Sequence, residues 1–278
     1  MTTQAATPKP FQRILLTGAA GGLGQILREA LQAHADVVRA TDISPMAPSR
    51  GAHDEVLPGN LADRAGVAAL CQGVDAIVHL GGVSVERPFE EILEANIRGT
   101  FHVYEAARQH GIKRIVFASS NHVTGFYPQG EELDAHSPRR PDGYYGLSKA
   151  YGEDLATFYF HRYGIQTVSL RIGSSFPEPR NRRMLSTWLS YPDLEQLVAR
   201  ALLTRDVGHT VVYGVSANRD LWWSNRHAAH LGYAPQDSSE QFRGKIESQP
   251  LPAVAEAGSQ FQGGPFTAAG PFEDGAGR

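Results

Sequence analysis

The 278-residue chain contains a single cysteine, Cys71, so it can form neither an intrachain disulfide nor a thiolate metal cluster. Its 11 histidines show no zinc-ligand spacing, and no metal site is predicted. The apolar runs are only strand-sized, which excludes a transmembrane helix, and residues 1–10 have no apolar stretch typical of a secretory signal. The formal net charge of -3 offers no basic surface to nucleic acid or anionic membranes. A location in the reducing cytoplasm is therefore predicted.

The first informative motif is a glycine-rich turn after a short apolar run. The run Ile14–Thr17 predicts a buried parallel strand, and Gly18, Gly21 and Gly24 follow it at three-residue intervals. Such glycines let the backbone approach a pyrophosphate closely, with the N–H groups of the next helix facing the anion. The spacing differs from the Gly-x-Gly-x-x-Gly fingerprint, so a plain glycine-rich turn is the alternative.

An acidic residue, Asp42, ends the second predicted strand, 18 residues after Gly24. A carboxylate at that point accepts hydrogen bonds from the adenosine ribose and repels a 2′-phosphate, which favours NAD over NADP. Arg39 lies nearby, so NADP is not excluded as the cofactor. The alternative role for Asp42 is to begin a simple turn that runs to Pro45.

Two further glycines follow the apolar strand Ala76–Leu80. Ligands of doubly wound sheets lie beyond the carboxyl ends of the strands, so Gly81 and Gly82 would let a cofactor pass close to the backbone. His79 lies inside this strand and is interpreted as a core residue rather than a ligand.

A tyrosine and a lysine, Tyr145 and Lys149, stand four residues apart, which places both on one face of a helix. A nearby ammonium favours the phenolate and lowers the pKa of a tyrosine from its ordinary value of about 10. Such a pair can remove a proton from an alcohol while a hydride leaves the same carbon. Judged by the spacing alone, the alternative is that both side chains simply lie in solvent on the helix surface. Tyr144 has no lysine at this spacing, so Tyr145 is the predicted base.

Strand and helix patterns alternate along the chain, which predicts an α/β fold of the Rossmann type with a doubly wound parallel sheet. The predicted strands are Arg13–Thr17, Val37–Thr41, Ala76–Leu80, Arg114–Ala118, Gln166–Arg171 and Thr210–Tyr213, with a possible short strand at Asp54–Leu57. The predicted helices are Gly22–Ala33, Ala62–Gln72, Phe89–His110, Tyr144–Tyr163, Leu194–Leu203 and Ser224–Leu231.

Three regions are predicted from the composition. Residues 1–10 form a disordered leader, and residues 11–234 form a nucleotide-binding Rossmann domain with substrate loops. Residues 235–278 are rich in Pro, Gly, Ala and Ser and form a small extension that packs on the same domain or on a neighbouring subunit.

Two polar segments, Ser119–His122 and Arg171–Arg183, follow the fifth and sixth strands. Both therefore reach the carboxyl edge of the sheet, where the glycine-rich turn also lies, and they are predicted site loops. For the arginines at 180, 182 and 183 a solvated charged loop is the alternative.

These motifs together resemble the extended short-chain dehydrogenase/reductase family and, within it, the uronate dehydrogenases. The broad resemblance rests on the glycine motif, Ser120 and the Tyr145/Lys149 pair, which identify only the superfamily. The narrower one covers nearly the whole chain, about 11–266. It rests on the following segments: 80–89, Ala118-Ser119-Ser120-Asn121-His122, Arg140-Pro141-Asp142-Gly143, 171–174, 183–188, Trp222-Trp223 and Phe261-Gln262-Gly263-Gly264.

The resemblance implies NAD-dependent oxidation of a hexuronic acid, galacturonate or glucuronate, at C1 to the aldarolactone. Tyr145 would take the C1 hydroxyl proton, Lys149 would lower the tyrosine pKa and bind the nicotinamide ribose, and Ser120 would hold the reacting oxygen. Asn96 would fix local backbone or a relay water, with helix packing as its alternative. Family members self-associate, so a homo-oligomer is expected.

The resemblance also implies the residues that contact each ligand. The cofactor residues are Gly18, Gly21, Gly22, Leu23, Gly24, Asp42, Ile43, Ser44, Asn60, Leu61, Leu80, Gly81, Gly82, Lys149 and Ile172. The substrate residues are Ser84, Ser120, Asn121, His122, Tyr145, Ser174 and Arg183, the last as a bidentate clamp on the carboxylate. Asn60 departs from the more usual aspartate, which should alter NAD affinity only modestly.

Two rival functions remain open at this stage. A sugar-nucleotide epimerase or dehydratase on the same scaffold usually needs a larger C-terminal lobe, and only 107 residues follow Arg171. A non-catalytic NAD-sensing regulator needs no base, so an intact Ser120, Tyr145 and Lys149 argue against that function.

Overall fold

The computed structural model describes residues 8–250, 259–270 and 272. Its central feature is a seven-stranded parallel sheet with strand order β3-β2-β1-β4-β5-β6-β9. These strands are β1 Phe11–Thr17, β2 Ala35–Thr41, β3 Asp54–Val56, β4 Ala76–His79, β5 Arg114–Ser120, β6 Gln166–Ile172 and β9 His209–Gly214. A separate parallel pair joins β7 Ser174–Ser175 to β8 Trp188–Leu189. The predicted α/β fold with a doubly wound sheet is confirmed.

Side chains of the strands alternate between two apolar layers, one on each face of the sheet. Ile14 and Leu16 of β1 pack into one layer, whereas Leu15 packs into the other. The chain reverses its direction of winding between β1 and β4, which are neighbours in the sheet. That switch point opens a crevice at the carboxyl edge of the strands, where doubly wound folds bind ligands.

Helices cover both faces of the sheet. They are α1 Gly22–Ala30, α2 Arg64–Leu70, α3 Phe89–Ile92, α4 Gly99–Gln109, α5 Tyr144–Tyr163, α6 Met184–Thr187, α7 Tyr191–Leu203 and α8 Arg243–Glu247. Helices α1 and α7 contribute apolar side chains to one layer, and α2, α4 and α5 contribute to the other. None of the helices in the described residues is long and apolar enough to cross a bilayer.

Three predicted helices differ clearly from the structure, and α6 and α8 were not predicted. The segment predicted as one helix from Phe89 to His110 is helical throughout but contains a π-helical turn, Leu93–Arg98, of the kind often found at functional sites. The seventh helix begins earlier than predicted because Ser190 caps it. The predicted helix Ser224–Leu231 is confirmed only in part, because it is a 3₁₀ helix and covers Arg226–Leu231. The side-chain amide of Asn225 accepts a hydrogen bond from Tyr213 N and donates one to Tyr213 O, so it pairs with the edge strand of the sheet. Only a 3₁₀ helix follows it.

Part of the C-terminal region is described and lies against the rest of the chain. Gln262 is buried and its side chain accepts a hydrogen bond from Trp223 Nε1 (2.7 Å) and donates to the carbonyls of Pro128 and Glu131. These bonds fix residues 261–268 beside the carboxyl edge of the sheet. The predicted leader falls largely outside the described residues, as do positions 251–258, 271 and 273–278 of the extension.

Candidate active site

A cavity of about 850 Å³ lies at the carboxyl edge of the sheet. It is lined by every residue predicted to contact cofactor or substrate except Ser44. The backbone N–H of Ser44 instead donates to Asp42 Oδ1 (2.9 Å), as in the turn considered from the sequence. Arg180 and Arg182 do not line the cavity, whereas Arg183 of the same loop does.

The glycine-rich turn forms a cradle that side chains would fill. Gly18 has a φ of 73°, and a Cβ there would lie 2.7 Å from the Gly81 nitrogen. A Cβ on Gly24 would overlap the carbonyl oxygen of Gly18. None of the described side chains caps α1, so its first N–H groups face the cavity without an intrahelical acceptor. These groups fit a dinucleotide pyrophosphate.

The acidic residue after β2 is held in place by the same turn. Asp42 Oδ2 accepts a hydrogen bond from Ala20 N (3.0 Å), which leaves the carboxylate at the cavity wall. The guanidinium of Arg39 is engaged elsewhere, with Glu55 (2.7 Å) and the carbonyl of Leu70 (2.7 Å). The Arg39 guanidinium is therefore not placed to bind the 2′-phosphate of NADP. The Asp42 carboxylate at the cavity wall fits the ribose hydroxyls of NAD.

A buried hydrogen-bonded chain supports the second pair of glycines. Thr17 Oγ1 accepts from Gly81 N (3.0 Å) and lies 2.7 Å from His79 Nδ1, while His79 Nε2 reaches Thr100 (3.1 Å). Burial, together with the charge of Lys149, lowers the pKa of His79 to about 3, so the ring is neutral. His79 lies in the core and orders the Gly81 loop rather than binding a ligand.

The tyrosine–lysine pair lies on the cavity side of α5. Tyr145 and Lys149 are 8% and 5% exposed, and the ammonium lies 5.5 Å from the centroid of the tyrosine ring. Burial raises the pKa of Tyr145 to about 12, with a smaller raising effect from the charge of Asp142 and an opposing hydrogen bond from Ser120. Burial also lowers the pKa of Lys149 to about 8. The expected lowering of the tyrosine pKa is therefore wrong for the protein groups alone, because desolvation of the phenolate outweighs the lowering effect of the Ser120 hydrogen bond.

The loop after β5 presents a serine and a histidine beside this pair. Ser120 is buried and its Oγ accepts from His122 N (3.2 Å). His122 Nδ1 lies 2.7 Å from Asp142 Oδ2, and its ring stacks on Phe266 with centroids 3.9 Å apart. The ring also meets Tyr145 edge-on, with centroids 5.7 Å apart.

A largely buried arginine, Arg183, forms another wall of the cavity. Its Nε donates to Gln262 O (2.6 Å) and its Nη1 to Ser174 Oγ (3.1 Å). With its amide oriented to satisfy both neighbours, Asn121 accepts from Arg183 Nη2 (3.0 Å) and donates to Ile172 O (3.1 Å). Burial lowers the pKa of Arg183 to about 10, so the guanidinium is charged at neutral pH. Asn121 thus holds the arginine, a task that the sequence did not indicate.

Asn96, in the π-helical turn, fixes the loop that carries Ser84. Its Oδ1 accepts from Val83 N (2.7 Å), and its Nδ2 donates to Val83 O (3.0 Å) and to Ser148 Oγ (2.9 Å). The amide therefore joins this loop to α5. Of the roles considered from the sequence, these contacts support the fixing of local backbone.

Sequence reasoning missed three residues that the structure places around the site. Glu86 accepts from Tyr144 N (2.7 Å) and Tyr145 N (2.8 Å) and so caps the start of α5. Asp142 holds His122, and Phe266 covers one face of the same ring. All three lie in or next to segments that carry the family resemblance, which was the one available signal.

The strand order, the glycine cradle and the helical tyrosine–lysine pair define a dinucleotide-dependent enzyme of the short-chain dehydrogenase type. Comparison with known families agrees with this class. The model of the NAD dependent epimerase/dehydratase family matches residues 14–213, and the chain belongs to that family.

Within the family, the chain is most informatively compared with uronate dehydrogenases. It is 66% identical to the uronate dehydrogenase of Pseudomonas putida over 96% of this chain and 99% of that protein. It is 64% identical to the enzyme of Pseudomonas syringae over 99% and 100% of the two chains. The crystal structure of uronate dehydrogenase from Agrobacterium tumefaciens superposes with a TM-score of 0.92 at 49% identity, covering 95% and 99% of the chains. UDP-galactose 4-epimerase shares the fold at 20% identity.

Proposed function

We propose that this protein oxidises hexuronic acids at C1 to the aldarolactone with NAD. The observation that carries the proposal is the placement of a charged, largely buried arginine, Arg183, in the same cavity as the Tyr145/Lys149 pair. Such a cavity accommodates an anionic sugar whose reacting hydroxyl lies at the tyrosine. The identity to uronate dehydrogenases supports the same reaction, and it does not favour a sugar-nucleotide epimerase or a regulator.

The residues of α5 and the loop after β5 handle the proton. Tyr145 removes it from the C1 hydroxyl, Ser120 holds the reacting oxygen, and the charge of Lys149 stabilises the phenolate. NAD, when bound by the glycine cradle and Asp42, supplies the acceptor for the hydride that leaves C1. The C1–H bond breaks with its electron pair, and C1 becomes the carbonyl of the lactone.

The remaining polar groups orient the sugar. Arg183 binds the C6 carboxylate with the part of its planar fork that is not used by Gln262, Ser174 and Asn121. Ser84, Ser174 and His122 bind sugar hydroxyls. Since Asn121 is engaged by two neighbours, its contribution to the substrate is made chiefly through the arginine.

Initial rates of NADH formation at 340 nm test this function. The substrates are galacturonate, glucuronate, neutral galactose and UDP-glucuronate, each with NAD and with NADP. We expect turnover of the free uronates with NAD and very little with galactose or the nucleotide sugar. A lack of NADH from every free sugar would refute the proposed reaction.

The cofactor preference is expected to depend on Asp42. An Asp42→Ala variant should lower kcat/KM for NAD by about tenfold, since it loses one hydrogen bond to the ribose, and should narrow the preference over NADP. Asp42→Asn is the matched control, because it keeps an acceptor for Ala20 N while it removes the charge. An unchanged NAD/NADP ratio in both variants would contradict this role.

We also propose a cytoplasmic homo-oligomer in which α5 lies at the contact between subunits. Tyr144, Leu147 and Phe158 are 45%, 49% and 53% exposed and fall on one side of the helix. An apolar stripe of this kind is typical of a protein interface. The proposed arrangement of residues 11–234 with the extension is supported by the bonds of Gln262 to the main domain.

A charged residue in this stripe should disrupt the oligomer. Sedimentation velocity of the wild type is expected to give a species larger than 30.2 kDa, and Leu147→Glu should shift it toward the monomer because burial of an unpaired charge is costly. Asp154→Glu, on the same helix, is the control. A wild type that sediments as a monomer would overturn the proposal.

A further inference from the structure

Asp142 is a buried carboxylate that contacts His122 of the cavity wall, and the proposed reaction does not use this carboxylate. It is 5% exposed, and it precedes α5 by two residues. Its Oδ2 lies 2.7 Å from His122 Nδ1, whereas its Oδ1 has no hydrogen-bond partner among the described residues. A buried carboxylate oxygen without a partner costs free energy, so its retention calls for a specific role.

The surroundings of this carboxylate allow it very little movement. A Cβ added to Gly125 or to Gly263 would overlap Asp142 Oδ2, and one added to Gly146 would lie 3.1 Å from Oδ1. The backbone thus comes close from three directions, including α5 and the C-terminal segment. Asp142 is held by this packing, and it in turn holds the edge of the His122 ring.

The face of the same ring is fixed by the C-terminal segment. Gly264 has a φ of 63°, which turns the chain so that Phe266 stacks on His122 at 3.9 Å and 25°. The imidazole is therefore fixed at its edge by Asp142 and on its face by Phe266. Because Nδ1 is taken by the carboxylate, Nε2 is the ring nitrogen left for a ligand in the cavity that His122 lines.

We propose that Asp142 is a positioning residue that keeps a ring proton of His122 on Nδ1, so that Nε2 accepts a hydrogen bond from a substrate hydroxyl. The proposal rests on the proposed function for the identity of that substrate. The His122 and Tyr145 rings are 5.7 Å apart. The hydroxyl bound by Nε2 therefore belongs to a carbon close to the one oxidised at Tyr145.

A purely electrostatic role for Asp142 would have the opposite effect on activity. Its negative charge raises the pKa of Tyr145. Removal of the charge alone would lower that pKa and favour the phenolate base. A loss of activity on removal of the charge therefore points to His122, since an amide at position 142 can donate to Nδ1 and move the ring proton to Nε2.

The test compares Asp142→Asn, His122→Gln and the double variant. We expect Asp142→Asn to raise the uronate KM about tenfold, the value of one hydrogen bond, and to change kcat by less than about threefold. The double variant should be no worse than His122→Gln alone, because both changes remove the same interaction. Additive effects, or wild-type kinetics in Asp142→Asn, would overturn the proposal.

The matched control is Asp134→Asn. Asp134 is another buried carboxylate next to a histidine, His227 (3.2 Å), and it lies outside the cavity. Its variant should keep the wild-type KM. The affinity for NADH and the melting temperature of every variant show whether the fold is intact.

A measurement without turnover separates this proposal from the proposed reaction. ¹⁵N-histidine NMR of the protein, with the His122 signals assigned by His122→Gln, should show the Nδ1-protonated form in the wild type and its loss in Asp142→Asn. The Nε2-protonated form in the wild type would refute the role of Asp142. If the Nδ1 form is found but no uronate is oxidised, the proposed function fails and the positioning role stands.

Discussion

Replacement of Tyr145 by Phe is expected to lower kcat by about 10³-fold, within the range that general acid–base catalysis contributes. The phenol oxygen is the group placed to take the substrate proton, with Ser120 bonded to it and Lys149 on the same helix face. The change removes one oxygen from a buried side chain, so the pocket should keep its shape. NADH affinity should stay within about twofold, as measured by fluorescence titration.

The adjacent tyrosine is the matched control for this substitution. Tyr144 is 45% exposed, and it lacks a lysine four residues on. Tyr144→Phe should retain the wild-type kcat. A near-wild-type kcat in Tyr145→Phe would show that another group accepts the proton.

The pH dependence of kcat should reveal the same pair of groups. With a tyrosine pKa raised to about 12 by burial, the phenolate fraction increases with pH up to that value, whereas a lysine pKa lowered to about 8 means that its ammonium is already lost as pH rises through 8. The ascending limb should disappear in Tyr145→Phe, because that limb requires deprotonation of the phenol.

The second large effect is expected at Arg183. Arg183→Ala should raise the uronate KM about 10²-fold, which corresponds to about 3 kcal/mol, because a charge-assisted bidentate contact is lost. Arg183→Lys should recover little of this, since an ammonium cannot reproduce the fork that also contacts Gln262 and Ser174. The measurement is KM and kcat for galacturonate in each variant, with NADH affinity as the test of folding.

A neighbouring arginine in the same loop is the control. Arg180 is exposed, lies outside the cavity and stacks on Phe176 at 3.7 Å. Arg180→Ala should therefore leave the uronate KM unchanged. An Arg183→Ala variant with the wild-type KM would remove the carboxylate clamp from the mechanism.

The features that could be predicted from the sequence are those whose residues lie close together along the chain. The glycine cradle, β1 and the pair on α5 were predictable because their residues are close together in the sequence and their periodicity is strong. The short strand near Asp54 was also confirmed.

Interactions across long stretches of sequence could not be read from local patterns. Glu86 bonds the backbone of Tyr145 from 59 positions away, and Gln262 bonds Arg183 from 79 positions away. The upward shift of the Tyr145 pKa was missed for a related reason, since the burial that causes it depends on residues all around the cavity. The helix predicted from Ser224 begins only at Arg226, as a 3₁₀ helix, because Asn225 binds the sheet edge instead.

The cap on α5 has a consequence for protein engineering. Glu86 comes from the segment after β4 that also carries Ser84, and a Cβ on Gly143 would collide with its carboxylate. The residues at positions 86 and 143 must therefore be transferred together when segments are exchanged between homologous proteins. A chimera that grafts a new 80–88 loop to alter sugar preference must bring both residues along, or the helix bearing the catalytic base loses the acceptor for its first N–H groups.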